Sequence, residues 1–232
     1  MSAKSPAAET QPTKDRAAKS PGAKATAPGA KAQSPAAKAP SPKERSAAAK
    51  ARLLAAANEL FYAEGIQAVG IDRVIEHAGV AKATLYSAFG NKEGLIRAYL
   101  QARHDATSNG MSRELEARYA TAKERLVGVF EVQGLSFADP AFRGCAFISA
   151  NADAPNIPAV EEASHNYRDW VHSLFLDLAT EAGAKDPRLL AQQLVLLYDG
   201  SGISAWLDND RTADNTARTV AAALVDAAIP NS

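Results

Sequence analysis

The stretch GIQAVGIDRVIEHAGVAKATLYSAFGNK, residues 65–92, contains the pattern around which the rest of the chain is organised. Its first half predicts a short helix, because four apolar residues recur at helical spacing on one face. These four are Ile71, Val74, Ile75 and Ala78. Gly79 can adopt the positive φ angle with which many helices end, so we expect a tight turn there. A second helix is predicted over residues 82–88, with Leu85 and Phe89 one turn apart on its inner face.

The second predicted helix has an outer face of mostly small and polar side chains. The residues expected on this face are Lys82, Ala83, Thr84, Tyr86 and Ser87. A short helix with a small outer face fits the major groove of DNA, which is about 12 Å wide. Two helices joined by a tight turn, with the second helix in the groove, form a helix-turn-helix. The pattern therefore predicts a DNA-binding head in which the second helix reads the bases.

The individual side chains in this stretch suit contacts with DNA. Thr84 offers a methyl group for thymine and a hydroxyl for phosphate, and Lys82 can reach guanine or the backbone. Tyr86 can donate its hydroxyl to a phosphate, and Lys92, which begins the next helix, can hold a neighbouring phosphate. The alternative is a small three-helix domain that does not touch DNA, with Tyr86 and Lys92 on an ordinary solvated surface. The combined spacing of Gly79, the outer face and Lys92 favours the DNA-binding interpretation.

Residues 79–95, GVAKATLYSAFGNKEGL, resemble the signature GVSKGTLYxHFxxKExL of the tetracycline-repressor (TetR) family. The resemblance extends over about residues 47–100. The positions that match the family's reading helix are Lys82, Ala83, Thr84 and Tyr86, and Lys92 matches its phosphate-holding lysine. Four positions depart from the family's pattern. Ala83 stands where Gly or Pro is common, Ala88 where His is common, Gly70 where a capping Ser or Thr is usual, and Asp72 where some relatives have a basic DNA contact. These departures imply that the reading helix contacts few bases.

The resemblance also implies how the whole protein works. In this family a homodimer binds a palindromic operator in double-stranded DNA, and a small effector binds in the helical C-terminal body. The helix that starts at Lys92 joins head and body, and the last two helices pair with their copies in a four-helix dimer interface. We therefore expect a sequence-specific transcriptional regulator, a repressor rather than an activator, with no enzymatic activity and no cofactor. Neither the effector nor the operator follows from the sequence.

Residues 1–43 differ in composition from the rest of the 232-residue chain. This segment holds eight Lys or Arg and two Asp or Glu, so it carries +6 while the remainder carries −6 and the whole chain is neutral. The motif Pro-Gly-Ala-Lys-Ala or a close variant recurs every seven residues from Pro21. The segment contains almost no large apolar residue, and this composition predicts a disordered tail. Its lysines either bind phosphates without sequence preference or only keep the chain soluble. If these lysines bind phosphates, the alternative function is that of a nucleoid-type protein, which binds DNA non-specifically through this tail.

Helical patterns continue through the rest of the chain, and no alternating stretch is long enough to indicate a strand. Helices are predicted over residues 44–64, 92–119, 122–137, 143–152, 160–182, 188–207 and 212–228. Gly110 is a potential break in the second of these. The predicted fold class is therefore all-α. Its expected parts are a tail (1–43), a helix-turn-helix domain (44–106) and an effector-binding and dimerisation domain (107–232).

Two groups of residues in the C-terminal half are candidates for further sites. Those that could line an effector pocket are Phe130, Phe142, Cys145, Phe147, Asn151, Tyr167, Trp170 and Tyr198. Aromatic walls with a few polar groups are typical of ligand pockets, although ordinary core packing is the alternative for each side chain. Those that could form the dimer interface are Gly200, Gly202, Ala205 and Leu224. For the mid-helix glycines the alternative is a kink or a pocket wall.

Several other kinds of site are not indicated. The single cysteine, Cys145, excludes an intramolecular disulfide and suits a reducing cytoplasm. No catalytic signature surrounds it, which argues against an enzyme whose pocket is an active site. His165, Asp169 and His172 share a helical face, but the two histidines lie about 10 Å apart along the axis, too far to share a metal ion easily. Without a secretory signal or an apolar run of about 18 residues, no membrane partner is expected and a cytoplasmic location is predicted.

Overall fold

The computed structural model describes residues 41–230, and every regular element in this range is an α-helix, which confirms the predicted fold class. In chain order the helices are α1 (Pro42–Glu64), α2 (Ile71–Ala78), α3 (Lys82–Phe89), α4 (Lys92–Arg118), α5 (Ala122–Phe137), α6 (Ala146–Asp153), α7 (Pro158–Glu181), α8 (Pro187–Leu207) and α9 (Ala213–Ala228). The disordered tail is predicted for residues 1–43, and its first 40 residues lie outside the described range. None of these helices is both long and apolar enough to cross a membrane.

Helix α1 begins two residues earlier than the sequence predicts. Ser41 is its N-cap: the Ser41 hydroxyl accepts a hydrogen bond from the Glu44 N–H at 3.3 Å, and the Glu44 carboxylate accepts one from the Ser41 N–H at 2.6 Å. Pro42 is tolerated at the first helical position, because the N–H that proline lacks needs no partner there. Pro42 and Lys43 therefore belong to the helix, and the predicted boundary of the tail at residue 43 is too late.

Helices α1, α2 and α3 pack against one another, and α1 and α3 also pack against α4. Leu53, Val74 and Leu85 have no exposed surface in the core that these helices share. As predicted, α2 ends at Gly79, whose φ angle of 60° is left-handed and whose N–H donates to the Glu76 carbonyl at 3.1 Å. This turn sets the direction of α3, so that Leu85 enters the core while the opposite face of the helix meets solvent.

Helix α4 is continuous over 27 residues and runs from the head into the body. Gly110 lies within it and does not break it, although Ser108 and Asn109 beside it are weak helix formers, because the helix packs on α5 and α7. The predicted division between two domains at residue 106 falls inside this helix, and it stays a prediction.

The body contains α5, α7, α8 and α9, with α5 in contact with all three others. Phe130 and Phe175 are fully buried there, with ring centroids 5.9 Å apart. Short helix α6 packs on α7 and begins later than predicted, at Ala146, after a turn at Gly144 with a φ angle of 80°. Helix α7 begins earlier than predicted, at Pro158, because proline again occupies the first helical position.

Candidate functional site

The outer face of α3 is exposed as the sequence predicts, with one exception. The exposed residues are Lys82, Ala83, Tyr86 and Ser87. Thr84 is half-buried, because it borders the inner face of the helix one turn before Ala88, which is also half-buried. Leu85 anchors the helix from the opposite side. The structure thus presents four predicted DNA-contact residues together on one face, with Thr84 at its edge.

Lys82 forms an ion pair with Asp72 of α2, with 2.8 Å between Nζ and Oδ1. The hydrogen bond to this carboxylate raises the pKa of Lys82, so the ammonium group stays charged. Both side chains are more than half exposed, and exposed pairs of this kind contribute little to stability. Lys82 can therefore leave Asp72 for a base or a phosphate at small cost. Asp72, which departs from the family's pattern, orients the lysine in the free protein.

Lys92 is the first residue of α4, at the positive end of the helix dipole. Asn91 caps this helix by accepting a hydrogen bond from the Gly94 N–H at 2.8 Å. Burial lowers the pKa of the half-buried Lys92, and the carboxylate of Asp153 opposes that shift. A cation beside a helix N-terminus attracts anions, so this corner is suited to hold a phosphate of the DNA backbone.

The two helices of the motif begin without a side-chain cap. Gly70 at the start of α2 and Ala81 at the start of α3 offer no hydroxyl or carboxylate to the free N–H groups of the first turn. Both residues have the extended backbone that a capping residue adopts. The local stability of the motif therefore depends on tertiary packing through Val74 and Leu85 rather than on its caps.

Supplying the missing cap of α3 should stabilise the protein. We expect Ala81→Ser to raise the free energy of unfolding by about 0.5–2 kcal/mol, because the new hydroxyl can accept from a first-turn N–H. Chemical denaturation measured by circular dichroism checks this. The matched control is Ala83→Ser, an exposed position inside α3, which should slightly destabilise the helix. A gain of the same size in both variants would contradict the capping explanation.

The corner between α3 and α4 depends on a residue that sequence reasoning did not single out. A Cβ atom on Gly94 would lie 2.0 Å from the Phe89 carbonyl oxygen, closer than any side chain can come. Gly90, with a φ angle of 77°, turns the chain between the two helices. The signal in the sequence is a pair of glycines within five residues, which indicates a close backbone approach.

A cavity of about 1080 Å³ lies in the body, bordered by residues of α1 and of α4 to α8. Six of the eight predicted pocket residues line it: Phe142, Cys145, Phe147, Asn151, Tyr167 and Tyr198. The other two do not. Phe130 is fully buried against Phe175, and Trp170 packs on His104 with ring centroids 5.9 Å apart. Both predictions were wrong for the same reason, because helical spacing alone does not separate a cavity wall from the core behind it.

Aromatic contacts and one ion pair shape the cavity wall. The rings of Phe147 and Tyr167 stack at 4.0 Å, and the Arg168 guanidinium pairs with the Asp199 carboxylate at 2.7 Å. Burial raises the pKa of the Cys145 thiol, so this group is protonated and a poor nucleophile. Burial also raises the pKa of Tyr198 to about 12. The wall thus combines apolar surface with neutral hydroxyls and a balanced charge pair, as ligand pockets do.

Hydrogen bonds connect the head to the segment that borders the cavity. The Tyr62 hydroxyl donates to the Gly144 carbonyl and accepts from the Arg143 N–H, both at 2.8 Å. At the other end of α6, the Asp153 carboxylate accepts from the Gln67 N–H at 2.8 Å. A displacement of α6 by a molecule in the cavity would therefore act directly on α1 and on the loop before α2.

The exposed face of α8 carries an apolar stripe that the sequence analysis did not identify. Its members are Leu189, Leu196, Gly200, Ile203 and Leu207, which recur three, four or seven residues apart. Of the four residues predicted for a dimer interface, Gly200 lies in this stripe and Leu224 is half-buried. Ala205 was wrongly included, because it is buried against Phe137 in its own protomer. A side chain at Gly202 would also point inward, toward Gln133.

Comparisons with known proteins agree with this architecture. The family model for bacterial regulatory proteins of the tetR family matches residues 53–99. The HTH-type transcriptional activator FasR of Mycolicibacterium smegmatis is 31% identical over 163 residues, covering 68% of this chain and 72% of FasR. A TetR-family transcriptional regulator of Streptomyces coelicolor, seen in a crystal structure, is 30% identical with a TM-score of 0.74; the match covers 79% of this chain and 97% of that one.

A further crystal structure, that of a putative TetR regulator from Streptomyces avermitilis, is 27% identical with a TM-score of 0.67. It covers 78% of this chain and 97% of its own. The family model lies within the head, and the two structural matches cover enough of the chain to include the helical body as well. This chain is therefore a DNA-binding transcriptional regulator that belongs to the TetR family.

Proposed function

We propose that this protein is a homodimeric repressor that binds a palindromic operator and is released from it by a small effector in the body cavity. The observation that carries this proposal is the exposed outer face of α3, held by the buried Leu85 and flanked by Lys92 at the start of α4. A helix presented in this way can enter a major groove while Lys92 holds a phosphate beside it.

The apolar stripe of α8 supports the dimer. Leu196 and Leu207 have 74% and 68% of their surface exposed, which is costly for leucine in a monomer. A two-fold axis through this face would bury the stripe against its own copy. The two reading helices could then occupy half-sites one helical turn apart, about 34–36 Å, or a multiple of that distance.

The hydrogen bonds between head and body support release by an effector. A ligand that displaces α6 would strain the bonds of Tyr62 to residues 143–144 and of Gln67 to Asp153. Such a ligand binds more tightly to the conformation in which these hydrogen bonds have rearranged, and it therefore increases the population of that conformation. By thermodynamic linkage, the operator and the effector must then weaken each other's binding by the same factor.

A transcription assay tests whether the protein represses or activates. FasR is named an activator, whereas we propose repression for this chain. We expect transcription from a template that carries the selected operator across its promoter to fall when the protein is added and to recover with effector. An increase on adding the protein would assign the opposite sign, while leaving DNA binding and the dimer intact.

The experiment that tests the proposed function is selection of duplexes from a random DNA pool, by the full chain and by a form lacking residues 1–40. The deletion ends before Ser41 so that the cap of α1 is kept. We expect both forms to enrich the same palindrome, with weaker and less salt-dependent binding by the shorter one. Loss of nearly all binding on deletion would favour a nucleoid-type protein, and no enriched sequence from either form would contradict base reading.

Substitutions of the predicted DNA-contact residues should differ in how they affect DNA binding. We expect Tyr86→Phe and Lys92→Ala to weaken binding to every duplex by about three- to tenfold, because each loses a backbone contact. Lys82→Ala should in addition change the preferred bases. Fluorescence anisotropy on the operator and on single-base variants measures both effects. Lys123→Ala, a charge loss on α5 of the body, is the control; an equal loss on all duplexes for Lys82→Ala would contradict its reading role.

A further inference from the structure

The guanidinium group of Arg103, on α4, lines the body cavity without a negatively charged partner. Its Nε atom is buried and has no hydrogen-bond partner. No ion pair joins it to a carboxylate anywhere in residues 41–230, although several other arginines there are paired. The side chain as a whole is half-buried, and a buried N–H donor without a partner is costly unless something supplies an acceptor.

The immediate neighbours of Arg103 are aromatic and neutral. Its guanidinium carbon lies 3.8 Å from the centroid of the Tyr62 ring and 5.9 Å from that of Tyr99. Burial raises the pKa of Tyr62, and it raises the pKa of Tyr99 to about 12. Both phenols are therefore protonated near neutral pH. They provide cation–π contacts but no counter-charge.

The other arginines along the cavity are already satisfied. Arg168 pairs with Asp199 at 2.7 Å, and Arg143 donates to two backbone carbonyls at 3.1 Å. Arg113 lies 3.9 Å from a glutamate and keeps 74% of its side chain exposed, so water also solvates it. Among the arginines that line the cavity in residues 41–230, only Arg103 has a buried nitrogen without a hydrogen-bond partner.

We propose that the cavity binds a monocarboxylate with an apolar body, and that Arg103 pairs with the carboxylate. A planar carboxylate matches the fork of a guanidinium and would satisfy the buried Nε atom. The Ser164 hydroxyl, which is also buried in the cavity wall without a partner, offers a second polar contact to the ligand. This inference rests on the proposed function and adds the chemical class of the effector to it.

The lining of the cavity limits the ligand to a single negative charge. Its charged residues are Arg103, Arg113, Arg143 and Arg168 against Glu59, Glu114, Asp139 and Asp199. The two signs balance, and within residues 41–230 only Arg103 among these arginines keeps a buried nitrogen without a partner, so a second negative charge on the ligand would have no partner. The stacked Phe147 and Tyr167 rings and the volume of about 1080 Å³ suit a large apolar body.

The test compares acids with their uncharged isosteres on the full-length protein. A panel of aliphatic and aromatic carboxylic acids is titrated by calorimetry, each beside the primary amide of the same carbon skeleton. We expect at least one acid to bind about tenfold more tightly than its amide, because only the acid forms a charge-assisted pair. In Arg103→Met this preference should fall to about twofold or less, and Arg103→Lys should retain part of it.

The control is Arg97→Met, which removes an exposed arginine of the same helix that does not line the cavity and should keep the acid preference. Arg103→Met should fold with a stability close to that of the parent, because methionine keeps an apolar contact with the Tyr62 ring. Equal binding of acid and amide, an unchanged preference in Arg103→Met, or no binding of any acid in the panel would each overturn the inference.

These outcomes are separate from those of the DNA experiment. Calorimetry is performed without DNA, so carboxylate binding through Arg103 can be established even if the ligand leaves the operator complex intact. That result would contradict release by an effector and support the ligand class. Enrichment of a palindrome without any acid binding would support operator binding and overturn the ligand class.

Discussion

Replacing Gly94 by alanine should destabilise the protein and displace the reading helix. The new Cβ atom would lie 2.0 Å from the Phe89 carbonyl oxygen, and the obstacle is backbone that cannot turn aside. We expect the free energy of unfolding to fall by about 1–3 kcal/mol, as for other overpacked sites. The thermal midpoint should then fall by about 2–4 °C for each kcal/mol.

Gly94→Ala should also weaken DNA binding by more than its loss of folding stability explains. Phe89 ends α3, so relief of the clash moves the end of the reading helix relative to Lys92, which starts α4. We expect operator affinity to fall by about tenfold or more at a temperature where the variant is fully folded. The reason is that α3 and Lys92 can no longer contact the same duplex at their proper positions together. Anisotropy titration on the selected operator measures this loss.

Gly110→Ala is the matched control for Gly94→Ala. Gly110 lies inside the same helix, and a Cβ atom there would meet nothing within 4 Å. Alanine favours a helix interior by up to about 1 kcal/mol over glycine, so this variant should be more stable and bind DNA normally. If Gly94→Ala behaves like Gly110→Ala, the close approach between α3 and α4 does not constrain the head.

A charge in the centre of the α8 stripe should dissociate the dimer. Leu196 is the most exposed of these apolar residues, and Leu196→Glu would bring two carboxylates together at a two-fold interface. We expect a monomer at micromolar concentration by sedimentation. Operator affinity should fall by about a hundredfold or more, because the second head no longer benefits from being tethered to the first.

The control for this variant is another exposed leucine. Leu135, on α5, has 49% of its surface exposed and lies outside the stripe, so Leu135→Glu makes the same charge change elsewhere. It should remain dimeric and keep its operator affinity. A dimeric Leu196→Glu with normal DNA binding would show that the copies meet through another surface.

The sequence was informative wherever the interactions are local. Gly79, with its αL turn, and the helical spacing around Val74 and Leu85 predict the two motif helices and an exposed outer face of α3, which the structure confirms except at Thr84. Capping chemistry is equally local, and Ser41 followed by Glu44 three residues later is a readable start of α1. The prediction nevertheless began the helix late, because Pro42 was assigned to the tail repeat.

The tertiary structure alone decided which side chains face a cavity, a core or a partner. Phe130 and Phe147 are both buried, yet only Phe147 borders the cavity. Ala205 and Gly200 lie on one helix, but only Gly200 faces outward.

Thus the sequence by itself determined the all-α class, the helix-turn-helix and its outer face, since these depend on periodicity and on turn residues a few positions apart. The contact of Gly94 with Phe89, the unpartnered Arg103 and the exposed stripe through Leu196 were decided only by the tertiary structure. Each depends on where one helix lies against others, and that placement results from packing summed over the whole core, which no local pattern encodes.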